Sequence, residues 1–269
     1  MLRRLCSRLL SVCFAAIAGV TGVGIDVAWG GAWLLPSGYG QLITYSAFSE
    51  TTLAFDAHGN LIAIPASRKF EVGSYLEYGL TDWLTVIAAP AYDRVQTPLP
   101  GQFYNGLGES EIAVKAGLYR TDTAIISVQA GLRTPGASFD SLGPLEVRRA
   151  TSVDLRGLAG RNCVIAGMEG FIEAQGGYRI YAEKQPGEWR IDLTSGLRPM
   201  PRLLMLLQSF ISISNGPGQF GHISWTKLQP SIVYDLAPQW SLQIGGFLTV
   251  AGENAGRELG PTAGVWYRF

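Results

Sequence analysis

Apolar and polar side chains alternate along most of this chain, and this period of two constrains the fold more than any other feature. In residues 240–250, Leu242 and Ile244 fall on one face while Ser241 and Gln243 fall on the other. The same pattern recurs in residues 109–118, 124–133 and 189–197. Because successive side chains of a β-strand point to opposite faces of a sheet, these segments are predicted to be amphipathic strands.

The predicted strands are roughly ten residues long, which is the length that a tilted strand needs to cross a membrane. We count about twelve, near residues 40–50, 69–79, 83–93, 108–119, 123–133, 150–159, 170–182, 188–197, 202–214, 226–235, 240–251 and 260–269. The predicted fold class is therefore all-β, a transmembrane antiparallel β-barrel, with ten or fourteen strands as alternative counts. A soluble β-sandwich or lipocalin-like barrel would alternate too, but its strands would be joined by loops of more even length.

The last predicted strand, Pro261–Phe269, alternates and ends on an aromatic residue. It resembles the closing strand of outer-membrane β-barrels. The resemblance implies that outer-membrane lipid surrounds the barrel and that a barrel-insertion machinery recognises the strand ending in Phe269. The apolar side chains of each strand must then face lipid and the polar ones the lumen, rather than a protein core and water.

The first thirty residues have the features of a secretory signal peptide. Basic residues precede an apolar stretch over Leu9–Val23, and Ala28-Trp29-Gly30 forms a small-x-small cleavage site. The predicted division is a signal peptide over residues 1–30 and an outer-membrane barrel over residues 31–269. The predicted location is the outer membrane of a Gram-negative bacterium.

The predicted connections alternate between short and long, as in outer-membrane barrels with short periplasmic turns. Short turns are predicted at 80–82, 120–122, 160–162, 198–201 and 236–239, and long loops at 51–68, 94–106, 134–149, 215–224 and 252–259, with a shorter loop at 183–187. Aromatic residues near strand ends suit two interfacial girdles: Tyr78, Trp83, Tyr119, Trp240 and Tyr267, and Tyr92, Trp189 and Trp225.

Composition argues against several classes of function. Without residues 1–30 the chain carries 18 basic and 20 acidic residues, a balance that gives no argument for nucleic-acid binding. Cys163 is then the only cysteine, so no intramolecular disulfide is expected. His58 and His222 fall in separate loops, so neither a metal site nor a cofactor is predicted.

The inward face of the predicted barrel carries charges of both signs, because these residues cannot face hydrocarbon. Two interpretations remain open: a hydrated passage or sugar-contacting track, and a network of paired charges that closes a structural barrel. Twelve strands lie between the eight that enclose only side chains and the sixteen that leave a channel. The predicted lumen-lining residues are Glu71, Tyr75, Glu77, Glu109, Glu111, Lys115, Gln129, Arg133, Asp154, Arg156, Glu173, Gln175, Arg179, Arg190, Asp192, Arg198, Lys227, Gln229 and Gln243.

A catalytic alternative concerns His222 and Ser224, whose spacing on a strand puts both side chains on one face. This spacing resembles that of the outer-membrane phospholipase, in which His activates a nearby Ser. That family continues with Asn-Gly, whereas Ser224 is followed by Trp225-Thr226. We therefore predict no enzymatic activity and no catalytic residues, with a lipid hydrolase as the alternative.

The chain resembles the XagA-like proteins, a family of predicted outer-membrane barrels named after an operon linked to exopolysaccharide and biofilm formation. The resemblance lies in residues 31–41, in 55–56 with Gly59, and in 69–71, 76–85 and 106–109. The resemblance implies a barrel in an exopolysaccharide pathway, with polysaccharide as a partner. The predicted function is a channel or secretion component for a polar solute, and a non-conducting structural or adhesive barrel is a further alternative.

Overall fold

The computed structural model describes residues 31–97, 103–135, 137–138, 146–147, 151–182, 186–215 and 222–269, and the predicted signal peptide lies outside them. The described residues form sixteen strand segments and no helix long and apolar enough to span a membrane. They are β1 (Gly40–Phe55), β2 (Leu61–Thr81), β3 (Leu84–Ala89), β4 (Ala91–Gln96), β5 (Phe103–Leu107), β6 (Glu111–Arg120), β7 (Ala124–Arg133), β8 (Ala137–Ser138), β9 (Glu146–Val147), β10 (Ser152–Ile165), β11 (Met168–Tyr181), β12 (Glu188–Met200), β13 (Leu203–Asn215), β14 (His222–Ala237), β15 (Trp240–Glu253) and β16 (Ala255–Arg268).

The sheet closes on itself, because β1 pairs antiparallel with both β2 and β16. β3 and β4 are one barrel strand interrupted at Pro90, which lacks an N–H for the ladder. β5 and β6 are likewise one strand interrupted at residues 108–110, while β8 and β9 pair only with each other. The result is a closed antiparallel barrel of twelve strands, which confirms the predicted fold class.

Five tight turns join strands at one end of the barrel, which we call the turn end. Four of them fall where they were predicted, at residues 82–83, 121–123, 201–202 and 238–239. The turn predicted at 160–162 is wrong, since these residues lie within β10. The turn is instead formed by Ala166 and Gly167, with φ of 52° and 79°. Positive φ at both positions is the geometry of a two-residue hairpin, and Gly167 adopts it without strain.

Strands extend further at the opposite end than the alternation predicted. The predicted loop at 51–68 is mostly strand, with Phe55 paired to Leu61, and only Asn254 separates β15 from β16. The hairpin between β1 and β2 is organised by Asp56, whose Oδ1 accepts from the backbone N–H groups of Asn60 and His58, each at 2.8 Å. These bonds hold the pKa of the Asp56 carboxyl below its usual range.

The outer face of the barrel is an apolar band. Ile112 is 73% exposed and Ile244 is 64% exposed, although large apolar side chains of a soluble protein would pack inward. Exposed Trp83, Tyr119 and Trp240 lie close to the turn end, where an aromatic girdle suits a membrane interface. A closed barrel with this surface spans a membrane.

We predict that Ile232→Lys lowers the free energy of unfolding in lipid vesicles by about 2–4 kcal/mol, because it places a charge on the lipid face. The matched control is Gln229→Lys on the lumen face of the same strand β14, where the change should stay below about 1 kcal/mol. Denaturant titration measures both values. Equal losses in the two variants would contradict the assignment of faces.

Candidate functional site: the barrel lumen

The lumen holds a cavity of about 1430 Å³. At the turn end it reaches Pro201 and Pro238, and it extends up the barrel wall to Arg190, Lys227 and Glu258, about ten residues along their strands. Pockets for small molecules usually have volumes of about 300–1,000 Å³. The cavity is therefore large enough for a solute of several rings with water around it.

The predicted lumen-lining residues lie on the inner face of the wall. All of them line the cavity except Lys115 and Asp154, which are buried behind it. Lys115 Nζ lies 2.7 Å from Glu77 Oε1, and Asp154 pairs with arginines that do line the cavity. The alternation of β-strands thus brings together side chains from most of the barrel.

Asp154 is the centre of a charge network that we call the arginine cluster, formed with Arg133, Arg156 and Arg179. The Asp154 carboxylate lies 2.7 Å from Arg156 Nε, 3.1 Å from Arg179 Nε and 3.6 Å from Arg133 Nε. Asp154 is only 1% exposed. A buried carboxylate must be paired, and three guanidinium groups supply that pairing from β7, β10 and β11.

Further carboxylates surround the arginine cluster and balance its charge. Arg133 pairs with Glu109 at 2.6 Å and with Glu111, and Arg156 pairs with Asp192 at 2.6 Å. Planar guanidinium groups can hold several carboxylates at once because they carry five donors in a fixed geometry. The formal charges of three arginines and four carboxylates therefore nearly cancel.

A second group of charges lies on the wall formed by β1, β2 and β4. Lys69 Nζ lies 2.7 Å from Glu71 and 3.3 Å from Asp93. The Tyr45 hydroxyl donates to Glu71 at 2.8 Å. Sequence analysis missed Tyr45 and Lys69. Lys69 lies two residues before the predicted lumen residue Glu71, so alternation could have identified it, whereas Tyr45 lies between the apolar residues Ile43 and Ala47 and carries no such signal.

Trp225 faces the lumen, so its assignment to an interfacial girdle was wrong. The Arg190 guanidinium lies 4.9 Å from the Trp225 ring centre, and Lys227 Nζ lies 5.4 Å from it. Both distances are within the range of cation–π attraction. Lys227 also pairs with Glu258 at 2.6 Å and lies 5.1 Å from the Phe247 ring centre. Aromatic faces and charges thus share one part of the lumen.

Residues 31–36, which we call the inner segment, enter the lumen at the turn end. Trp33 is 5% exposed and meets the Phe171 ring edge-on, with 5.8 Å between ring centres. A Cβ at Gly160 would lie 2.5 Å from the Trp33 ring, and one at Gly117 would lie 3.0 Å from Leu34. The absence of side chains at these two wall positions makes room for the segment.

Hydrogen bonds from the wall hold the backbone of the inner segment. Lys115 Nζ donates to the Gly31 carbonyl at 2.6 Å, and Ser127 Oγ donates to the Ala32 carbonyl at 2.9 Å. The Ala32 N–H donates to Glu173 Oε2 at 2.9 Å. Sequence analysis missed this arrangement; the only local signal is an apolar run that does not alternate.

His222 and Ser224 lie on the outer face of the barrel, because Trp225 and Lys227 on the same strand line the lumen. His222 Nε2 is 3.6 Å from Glu253 Oε2 on the partly exposed surface. His58 lies in the β1–β2 hairpin. Within the described ranges, no group of three or more His, Cys, Asp or Glu side chains could hold a metal ion.

The barrel is similar to two solved outer-membrane proteins. The COG4313 outer membrane channel from Pseudomonas putida F1 matches with a TM-score of 0.74 and 16% identity, over 91% of this chain and 100% of that chain. The NanC porin matches with a TM-score of 0.57 and 9% identity, over 84% and 98%. No protein-family model and no curated protein matches this chain. Its fold and apolar outer band make it a β-barrel of the Gram-negative outer membrane.

We predict that Lys115→Met lowers the free energy of unfolding by about 3–5 kcal/mol, because it leaves the buried Glu77 carboxylate without its cation. The matched control is Arg68→Met, which removes an exposed ion pair with Glu50 and should cost less than about 1 kcal/mol. Urea titration of the detergent-folded proteins measures both losses.

The double variant Lys115→Met/Glu77→Gln tests the cause of that loss. It removes both charges, so much of the stability should return. A double variant as unstable as Lys115→Met alone would show that the loss comes from packing rather than from the unpaired charge.

Proposed function

We propose that this barrel conducts small polar solutes across the outer membrane. The observation that carries the proposal is the cavity of about 1430 Å³, which is lined by charges of both signs and by amide side chains. The polar side chains of such a lining can form hydrogen bonds and charge contacts with a polar solute, in place of those that the solute makes with its hydration water. A lumen that served only as a packed core would be filled with side chains.

The arrangement of the ion pairs favours passage over closure. Asp154 and Arg156 are two residues apart on one strand, as are Glu188 and Arg190. Such pairs run along the wall and do not bridge opposite sides of the barrel. Pairs between strands also stay on one side of the barrel, because the pair with the longest reach, Arg179 with Glu109 at 3.1 Å, skips only two of the twelve strands. The volume in front of the charges is therefore available to solvent and solute.

The lining also supports a class of solute. Trp225 offers an aromatic ring beside Arg190 and Lys227, and amide groups of Gln208 and Gln229 line the same cavity. Rings, amides and charges together suit saccharides, including acidic ones. The resemblance to XagA-like proteins supports an exopolysaccharide, and the two similar structures are described as a channel and a porin.

We predict that the purified protein conducts ions in planar bilayers and that Lys227→Met shifts its selectivity toward cations. The variant leaves the Glu258 carboxylate in the cavity without its cation, so anions are repelled and cations attracted. The reversal potential in a salt gradient measures the shift. The control Arg68→Met removes a cation from an exposed ion pair outside this cavity and should leave selectivity unchanged. A fully inserted but silent barrel would contradict the proposed passage.

The saccharide proposal has its own test. A strain without this protein should release less exopolysaccharide, and the wild-type gene should restore release. Unchanged release would contradict the exopolysaccharide assignment. Conductance measured in bilayers would in that case still support the passage of other polar solutes.

A further inference from the structure

Glu173 is a buried carboxylate whose hydrogen-bond donors are neutral. It is 5% exposed, and it accepts from the Ala32 N–H at 2.9 Å and from Gln175 Nε2 at 2.6 Å. Within the part of the chain that the structure describes, no ion pair includes Glu173, whereas the nearby Glu77 pairs with Lys115. A buried carboxylate is expected to have a cation beside it.

Gly31 lies against this carboxylate. A Cβ built on Gly31 would fall 2.7 Å from Glu173 Oε1 and 2.5 Å from Gln175 Nε2, so the Gly31 Cα lies directly against the ends of these two side chains. The Gly31 nitrogen is bonded to the same Cα, which places it within about 5 Å of the same oxygen. An opposite charge at that distance stabilises a carboxylate. A positive charge on the Gly31 nitrogen would therefore complete the site.

We propose that Gly31 is the amino terminus of the folded protein and that its α-ammonium pairs with Glu173. A leader peptidase hydrolyses the Gly30–Gly31 bond. The oxygen of water joins the Gly30 carbonyl carbon to give a carboxylate, and its two hydrogens end on the Gly31 nitrogen, which becomes an ammonium. The small-x-small site Ala28-Trp29-Gly30 lies at this bond. The inference concerns processing and is independent of the proposed passage of solutes.

The pairing gives the inner segment an anchor that only processing creates. In the uncleaved chain the Gly31 nitrogen is a neutral amide. The nearby cation is then Lys115, which is bonded to Glu77 and to the Gly31 carbonyl and makes no ion pair with Glu173. After hydrolysis the same nitrogen is charged, and the segment is held by an ion pair in addition to the bonds from Lys115 and Ser127. Seating of the inner segment in the lumen is thus linked to removal of the leader.

The first test is the mass and amino-terminal sequence of the protein purified from outer membranes. We expect the chain to begin at Gly31, and any other first residue would overturn the proposal.

The second measurement is the rate at which an amine-directed acetylating reagent modifies the α-amine at neutral pH. In the folded protein this rate should be about tenfold lower than in the urea-unfolded protein, because pairing favours the unreactive ammonium.

A variant identifies the partner. Glu173→Gln should raise the acetylation rate of the folded protein toward the unfolded value. The matched control is Glu169→Gln, another carboxylate on the lumen face of β11, which should keep the low rate. Equal rates in wild type and Glu173→Gln would overturn the pairing. If Glu173→Gln does not fold, the pH dependence of the wild-type rate decides. Pairing moves the rise of the rate to higher pH than in the unfolded protein, whereas burial alone lowers the rate at every pH and would overturn the pairing.

Discussion

Backbone hydrogen bonding in hydrocarbon is the constraint on which the rest of this structure depends. An open sheet edge in lipid would leave N–H and C=O groups without partners, at several kcal/mol for each group. The pairing of β1 with β16 removes both edges. Pro90, which has no N–H, lies where β3 gives way to β4, and its carbonyl still accepts from Ser74 at 2.9 Å. Once the sheet is closed, each side chain must face either lipid or lumen.

Closure therefore drives the charges inward, where they must be compensated within the wall. The arginine cluster and the Lys69 group do this along neighbouring strands and leave space in front of them. The inward face is not uniformly polar, because Leu158, Phe171 and Leu206 also point inward near the turn end. The inner segment covers part of this apolar area with Trp33, while Phe171 and Leu206 still line the cavity beside the charged residues.

Local alternation was sufficient to predict the barrel and about twelve strands, because both depend on side chains that repeat at every second residue along one strand. It did not identify every charged residue of the lumen, since Lys69 and Glu258 also line the cavity. Trp225 was misassigned because an aromatic residue near a strand end suggested an interfacial girdle. Lys227 lies two residues further along the same strand and was predicted to face the lumen, so alternation already placed Trp225 on the lumen face. The turn at Ala166 and Gly167 was missed because Ala carries no turn signal. Strand length beyond the membrane could not be predicted, since water on both faces removes the alternation.

The inner segment could not be predicted at all, because what holds it is distant in sequence. Its seat depends on Gly117, Ser127, Gly160 and Glu173, which lie on four different strands and meet only after the barrel has closed. Apolar contacts fix its side chains, and polar partners fix its backbone. Both sets come from side chains of the wall and not from the strand pairing itself, so a change that weakens either one should loosen the segment without opening the sheet that surrounds it.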